Sequence, residues 1–419
     1  MNRIGRLGFF NRIILYSFVI VTILFLYSCN EEPTFMGSAL LQDTVTIYPL
    51  STSTNELIIA ASTFLHHINT INKGVIHIGK ANGITALSMV RFTEPIKNLS
   101  SDYDFFVNYS IDKIISCKVK LYTNRYTFGD STNPNALSFK IYKATEWWSN
   151  LTTYDSLETF NIIDYSNPVG SFNGSVTQKD SMDNIEIDID KNVFLDWVKQ
   201  WYDTKNGDTS VVWGLACVPD ENSMVIRQFS GLTNDTMNAT EMTVIYLDTA
   251  GFQDTLILQK AIDKPFYKVD NYDKNDFIIQ GALSLRGLLY FDLSMIPAKS
   301  SIHSAQFELT LNRENVIKGN YPMDSTLLAE LPSDTSLYDG DEFLRSYYAE
   351  LVGDKFFFSS ITSAVETWNR GTGKGVLVFH PEGAQNERWE FDKLTFYGPN
   401  EQDSTKRPVL KIIYSRIGK

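Results

Sequence analysis

Reactive side chains are scarce in this chain. Its 419 residues hold only three cysteines and five histidines. His66 and His67 are adjacent, so on a strand they point to opposite faces. His77, His303 and His380 have no Cys, Asp or Glu partner at ligand spacing, and no zinc site is expected. The patterns H-E-x-x-H, G-x-S-x-G and the phosphate-binding loop are missing too, so nothing indicates a metallopeptidase, a serine hydrolase or a nucleotide enzyme. Basic clusters are also lacking. The net charge is −12 with no Lys/Arg block, which argues against a nucleic-acid partner and against adhesion of the protein surface to anionic headgroups. Proline is sparse while aromatics reach 13 %, a balance that favours packed β structure over disorder.

Long apolar runs are absent except one. Residues 13–26, IILYSFVIVTILFL, follow Arg3, Arg6 and Arg12 with no acidic residue before them. The run has signal-peptide proportions and falls short of the roughly 20 residues a spanning helix needs, although an uncleaved anchor is the alternative. Leu26-Tyr27-Ser28-Cys29 resembles the lipobox of bacterial lipoproteins. That resemblance implies cleavage of residues 1–28 and acylation of Cys29, with fatty chains such as palmitate holding the membrane. Cleavage would take the charge from −12 to −15, since the segment holds three Arg and no acid. Asn30, Glu31 and Glu32 are similar to the surface-export signal of Bacteroidota lipoproteins. The implied location is the outer membrane, lipid-anchored and facing the exterior. Asp-Ser/Thr tripeptides such as Asp248-Thr249-Ala250 and Asp403-Ser404-Thr405 resemble O-glycosylation acceptors of that phylum, and are equally ordinary turn formers.

The rest of the chain repeats itself. RGLLYFDLSMIP reads as a strand ending at Pro297. IHSAQFELTL alternates, and RPVLKIIYS closes the chain. Between them Ile361, Val365 and Trp368 fall on one helical stripe, with Ser360 or Thr362 as cap and Gly371 and Gly373 as stop. The first half offers ALSMVRFTEPI, IISCKVKLYTN and TEMTVIYLD, and a helix striped by Val193, Trp197 and Trp201 behind Asp190. The expected fold is all-β: two tandem jelly-roll-like antiparallel β-sandwiches, each with a short helix before a late strand. The division expected is signal 1–28, acylated linker 29–50, first sandwich 51–248 and second sandwich 255–419, with a boundary around Gly251.

Phe291-Asp292-Leu293-Ser294, Ile296-Pro297, Ser304-Ala305, Trp368 and Arg407-Pro408-Val409-Leu410 resemble the DNRLRE-domain family. The first half keeps a counterpart of another family element at Trp147 through Tyr154, but lacks the Asp-Leu-Ser and Arg-Pro. The resemblance implies sandwiches like those of carbohydrate-binding modules. A sugar ring has an apolar face and a polar rim, so exposed aromatics beside polar groups are the features to seek. Trp147, Trp148, Trp389 and Tyr397, with Arg388 beside the last pair, are the candidates, and core packing is the competing reading for each. Trp197, Trp201 and Trp368 are assigned to core. Asp270, Asp273 and Asp276 form an oxygen-rich loop, a weak calcium candidate without the EF-hand pattern; otherwise no cofactor is expected. Cys117 and Cys217 both read as buried, either paired across an oxidising envelope or free as small hydrophobes. The expectation is a non-catalytic surface lipoprotein that binds polysaccharide. The alternatives are an adhesive or structural protein without a glycan ligand and, third, a polysaccharide-degrading enzyme. Protein partners are not legible.

Overall fold

The computed structural model describes residues 46–416, apart from stretches at 54–55, 67, 94, 96–104, 107–110, 131–136, 175, 177–182, 206–213, 232–239, 299, 334–341 and 383–388. The fold is all-β, with large antiparallel sheets packed as sandwiches and few helices. No described helix is long and apolar enough to cross a membrane.

The chain opens with β1 (Thr46–Ser51) and β2 (Ile58–Leu65). There follow β3 (Val75–Ala81), β4 (Ile84–Phe92), β5 (Ile114–Gly129), β6 (Leu137–Lys143), the short helix α1 (Tyr154–Thr159), β7 (Gly170–Gly174) and β8 (Asn184–Ile189). Helix α2 (Lys191–Lys205) precedes β9 (Gly214–Pro219), β10 (Val225–Ser230), β11 (Glu241–Leu247) and β12 (Gln253–Val269). The second half comprises β13 (Phe277–Gln280), β14 (Leu285–Asp292), β15 (Ser301–Thr310), β16 (Thr326–Pro332), β17 (Phe343–Val352), β18 (Lys355–Phe358), α3 (Thr362–Arg370), β19 (Lys374–Pro381), β20 (Lys393–Phe396) and β21 (Val409–Arg416).

Each sandwich has its own main hydrophobic core. One takes its side chains from β3–β6 and β8–β12 together with α2. The other takes them from β13–β21 and α3, and also from the region of β1 and β2. In the second core Phe291 of β14 and Phe307 of β15 meet at 5.8 Å between ring centroids. These strands are not neighbours in the sheet, so the two rings meet edge to face across the sandwich.

The helices obey their stripes. Val193 and Trp197 are buried in the first core and Trp201 packs against it. Asp190 Oδ1 accepts from the Asn192 N–H at 3.0 Å, the expected start. In the second half Ile361, Val365 and Trp368 are buried, and Trp368 stacks on Phe291 at 4.8 Å. The expected cap there does not form. Ile361 occupies the cap position, and Thr362 Oγ1 instead accepts from Ala305 N, tying the helix to β15. Gly371 and Gly373 end α3 through N–H bonds to the carbonyls of Thr367 and Trp368. Gly375 permits the close packing: a Cβ there would lie 2.0 Å from the Trp368 indole.

Two departures from the expected plan, at Ile115 and at residues 248–252, have local causes. A bulge between β5 and β11 buries Ile114 and turns Ile115 outward, although alternation with buried Cys117 and Val119 predicts Ile115 inside. Cys117 and Cys217 are both free and buried, and burial pushes each thiol up to about 12. Residues 248–252 are not a link between sandwiches. Asp248 Oδ1 accepts from the N–H groups of Ala250 and Phe252, Gly251 takes φ +85°, and the stretch is a tight hairpin turn joining β11 to β12.

That hairpin relocates the opening strands. Residues Gln253 to Gln259 of β12 pair with β11, and Lys260 to Val269 continue along β4. Thus β12, expected to open the second sandwich, completes the first. Conversely β1 pairs with β21 over Thr46 to Ser51, and β2 pairs with β14 over Ile58 to Leu65. Residues 51–65, expected in the first sandwich, therefore lie in the second. The two connections cross at the seam, where Asn72 N donates to Asp263 O and Thr63 N donates to Lys274 O.

The seam has its own core. Ala86, Tyr126, Phe128 and Ile226 of the first sandwich pack with Leu283, Leu285 and Phe391 of the second. Tyr126 Oη accepts from Phe391 N, and Asn320 exchanges hydrogen bonds with Thr127 and Arg125. His77 is fully buried there, with Nε2 3.1 Å from Trp389 O and Nδ1 2.8 Å from Tyr267 Oη.

Candidate functional site

A concavity of about 770 Å³ opens at one end of the first sandwich. One wall is the β3–β4 hairpin turn with the β9–β10 connection beside it. Between β3 and β4, Asn82 and Gly83 take φ +50° and +75°, the left-handed pair that a two-residue turn requires. The β9–β10 turn supplies Glu221 and Ser223, and Lys80 Nζ sits 2.6 Å from Glu221 Oε1. The end of β12 brings Lys268 and Asp270, and Asp270 N is fastened to Gly83 O at 2.9 Å.

The opposite wall belongs to a lobe, residues 144–165, inserted between β6 and β7. It folds over the outer face of the first sandwich as a satellite core. Trp148, Leu157, Ile162 and Ile163 cover Leu87, Met89, Tyr142, Ala216 and Phe266. Polar contacts orient it. Thr153 and Ser156 form a capping box at the start of α1. Lys264 is buried and donates to the carbonyls of Ser149, Asn150 and Thr152 at 3.3, 2.7 and 2.7 Å. From this lobe Tyr154, Glu158 and Tyr165 face the cleft. Burial, with the tyrosine and carboxylates nearby, pushes the Tyr154 hydroxyl up to about 12, so it stays a donor at neutral pH. The Lys268 ammonium lies 5.6 Å from the Tyr154 ring centroid.

The sequence candidates separate. Trp147 is 62 % exposed, and the Arg91 guanidinium covers one face of its ring at 3.7 Å. Trp148, its neighbour, is 1 % exposed inside the satellite core and has no face to offer a sugar. Trp389 lies half-buried at the seam, where its indole N–H donates to Lys73 O. Its polar edge is thereby spent on joining the two sandwiches. Tyr397 is half-buried beside a second, smaller hollow of about 520 Å³ with Arg313 and Lys355, and Lys406 lies over its ring at 4.9 Å. Arg388 and Cys29 lie outside the described residues.

The loop weighed for calcium comes apart too. Asp273 Oδ1 accepts from Asn275 N and Nδ2, closing its own turn, while Asp270 faces the cleft. No group of three or more His, Cys, Asp or Glu suited to a metal occurs among the described residues. Asp248 and Asp403, the first residues of two Asp-Ser/Thr tripeptides, both cap their own turns.

Sequence reasoning missed the cleft itself. Lys80, Glu221 and Lys268 lie far apart in the chain, and Tyr165 belongs to no motif. They converge only because the β3–β4 turn, the β9–β10 connection and the lobe meet at one end of the sandwich. No protein-family model and no curated protein matches this chain. Among solved structures, the VP2 subviral particle of infectious bursal disease virus aligns with 90 % of this chain and 77 % of that one. Its identity is 11 % and the TM-score 0.12, a likeness too slight to inform fold or function.

Proposed function

We propose that this protein is a lipid-anchored surface protein that binds a polysaccharide in the cleft of its first sandwich without cleaving it. The observation that carries the reading is the lining of the cleft. Tyr154 and Tyr165 offer ring faces, and Lys80, Asn82, Lys268 and several carboxylates surround them. Apolar faces ringed by donors and acceptors suit a pyranose, whose own faces and rim have the same division. The DNRLRE-like motifs and the lipobox at Cys29 support the same reading. The chain after Cys29 enters the described structure at β1, in the second sandwich, while the cleft belongs to the first.

The test is a glycan array probed with residues 30–419. Binding to one or more polymers is expected, and it should fall about tenfold or more in Tyr154→Ala/Tyr165→Ala, two rings at up to about 1.5 kcal/mol each. Binding to no polymer overturns the reading, and release of new reducing ends overturns its non-catalytic part. For the anchor, Cys29→Ala should move the protein from the membrane fraction to the supernatant.

A further inference from the structure

The cleft carries information about the charge of its ligand. Its lining holds four carboxylates, Asp130, Glu158, Glu221 and Asp270, and two ammonium groups, Lys80 and Lys268. Both cations are already engaged. Lys80 is in contact with Glu221 at 2.6 Å, and Lys268 lies over the Tyr154 ring. The lining therefore has an excess of negative charge, set in a chain that is itself net negative. The two tyrosine hydroxyls do not add to it, because burial raises both above their ordinary value and keeps them protonated.

From this we infer that the cleft selects an uncharged polysaccharide and rejects acidic ones. The inference rests on the glycan-binding reading and names its substrate class. Two physical arguments converge. A carboxylate accepts hydrogen bonds and donates none, so this lining needs donors from its ligand. Neutral sugars supply them from every hydroxyl. A uronate or sulfate replaces a donor with acceptors, leaving the lining carboxylates facing a group that cannot bond to them. The second argument is Coulombic: Glu158, Glu221 and Asp270 are exposed, and a like charge brought within a few ångströms of them is repelled, a repulsion that salt weakens.

The test sorts the hits of the same array by charge and then varies the lining. Neutral polymers should bind at least about tenfold more tightly than their carboxymethylated or sulfated derivatives at low salt, with the gap narrowing as salt rises. Glu158→Gln/Asp270→Asn should narrow it further at fixed salt. Asp270 is exposed and its backbone N–H makes the contact to Gly83, so this pair leaves the turn intact. Hits confined to uronate-bearing, sulfated or sialylated chains would overturn the charge selection while leaving the cleft as a glycan site. A gap that ignores both salt and the double substitution would also overturn it. An array without hits would remove the underlying reading as well.

Discussion

The two sandwiches share one pairing scheme and differ in where their first strand comes from. In the first, β4 pairs β9, β5 pairs β11 and β8, and β3 pairs β10. In the second, β14 pairs β19, β15 pairs β21 and β18, and β13 pairs β20. A helix precedes the late strand in each, α2 before β9 and α3 before β19. In a plain tandem, β1 and β2 would complete the first unit and β12 the second. Instead β12 runs along β11 and then β4, while β1 and β2 take the equivalent places beside β21 and β14. The opening strands have been exchanged. Similarity between halves therefore does not mean that the halves are separable: each leaves the other a completing strand, and the seam between them is a packed core.

The most severe way to break the comparison is to cut at the apparent boundary. Residues 255–419 lack β1 and β2, so β14 loses its eight-residue partner and buried Leu57 and Ile58 no longer cover the second core. This fragment is expected not to fold cooperatively, and near-ultraviolet circular dichroism should show no fixed aromatic environment. Residues 75–269, which contain every strand of the first sandwich, should melt cooperatively. A cooperative transition from 255–419 alone would contradict the exchange.

The adjacent tryptophans of the lobe, for which the second sandwich has no described counterpart, give the next largest effect. Trp148→Ala should cost about 3–5 kcal/mol in chemical denaturation, because it empties the middle of the satellite core. Trp147→Ala removes an exposed ring and its contact with Arg91, and should cost about 1 kcal/mol or less. Similar losses at both sites would mean that the lobe is not packed as described.

A third effect belongs to the seam. Burial holds His77 neutral and takes its pKa from 6.5 down to about 3. A base whose folded pKa is depressed contributes full stability above its unfolded value, and the folded state loses ground as pH falls below about 6.5. The penalty at pH 4 is about 3 kcal/mol for so buried a group. Wild type should lose correspondingly more stability between pH 7 and pH 4 than His77→Gln. Equal slopes would mean that the imidazole reaches water.

How far the sequence foretold this molecule follows from the range of each signal. The stripes at Val193-Trp197 and at Ile361-Val365-Trp368, the inward alternation of Cys117, Val119 and Leu121, and the similarity of the halves are local patterns, and all appear in the structure. The strand exchange was not legible. β1, β2 and β12 alternate in the same way whichever sheet receives them, and only the tight turn capped by Asp248 commits β12 to β11. The candidate site was less legible still. Trp147 and Trp148 are chemically the same and adjacent, yet one is outside and the other inside because α1 folds back over the sheet. Trp389 and Phe391 alternate like a binding platform, and what they meet is the other sandwich.

The smallest effect, and the one that sharpens the contrast with His77, lies at Glu390 beside the seam. Burial raises this carboxyl from 4.5 to about 7, with Asp392 and Asp324 adding repulsion. The three line one small hollow of the second sandwich. For an acid with a raised folded pKa the sign is opposite to that of His77. Below about pH 4.5 Glu390 is protonated in both states and costs nothing. Between 4.5 and 7 the unfolded chain ionises first, so the folded state loses stability as pH rises, and the loss is complete above 7. Glu390 is partly open to solvent, so the effect should be well below that of His77. Glu390→Gln should therefore gain stability relative to wild type as pH rises from 4.5 to 7, whereas His77→Gln gains on wild type as pH falls. A Glu390→Gln difference that stays flat across that window would show that the Glu390 carboxyl is not held out of water beside Asp392 and Asp324.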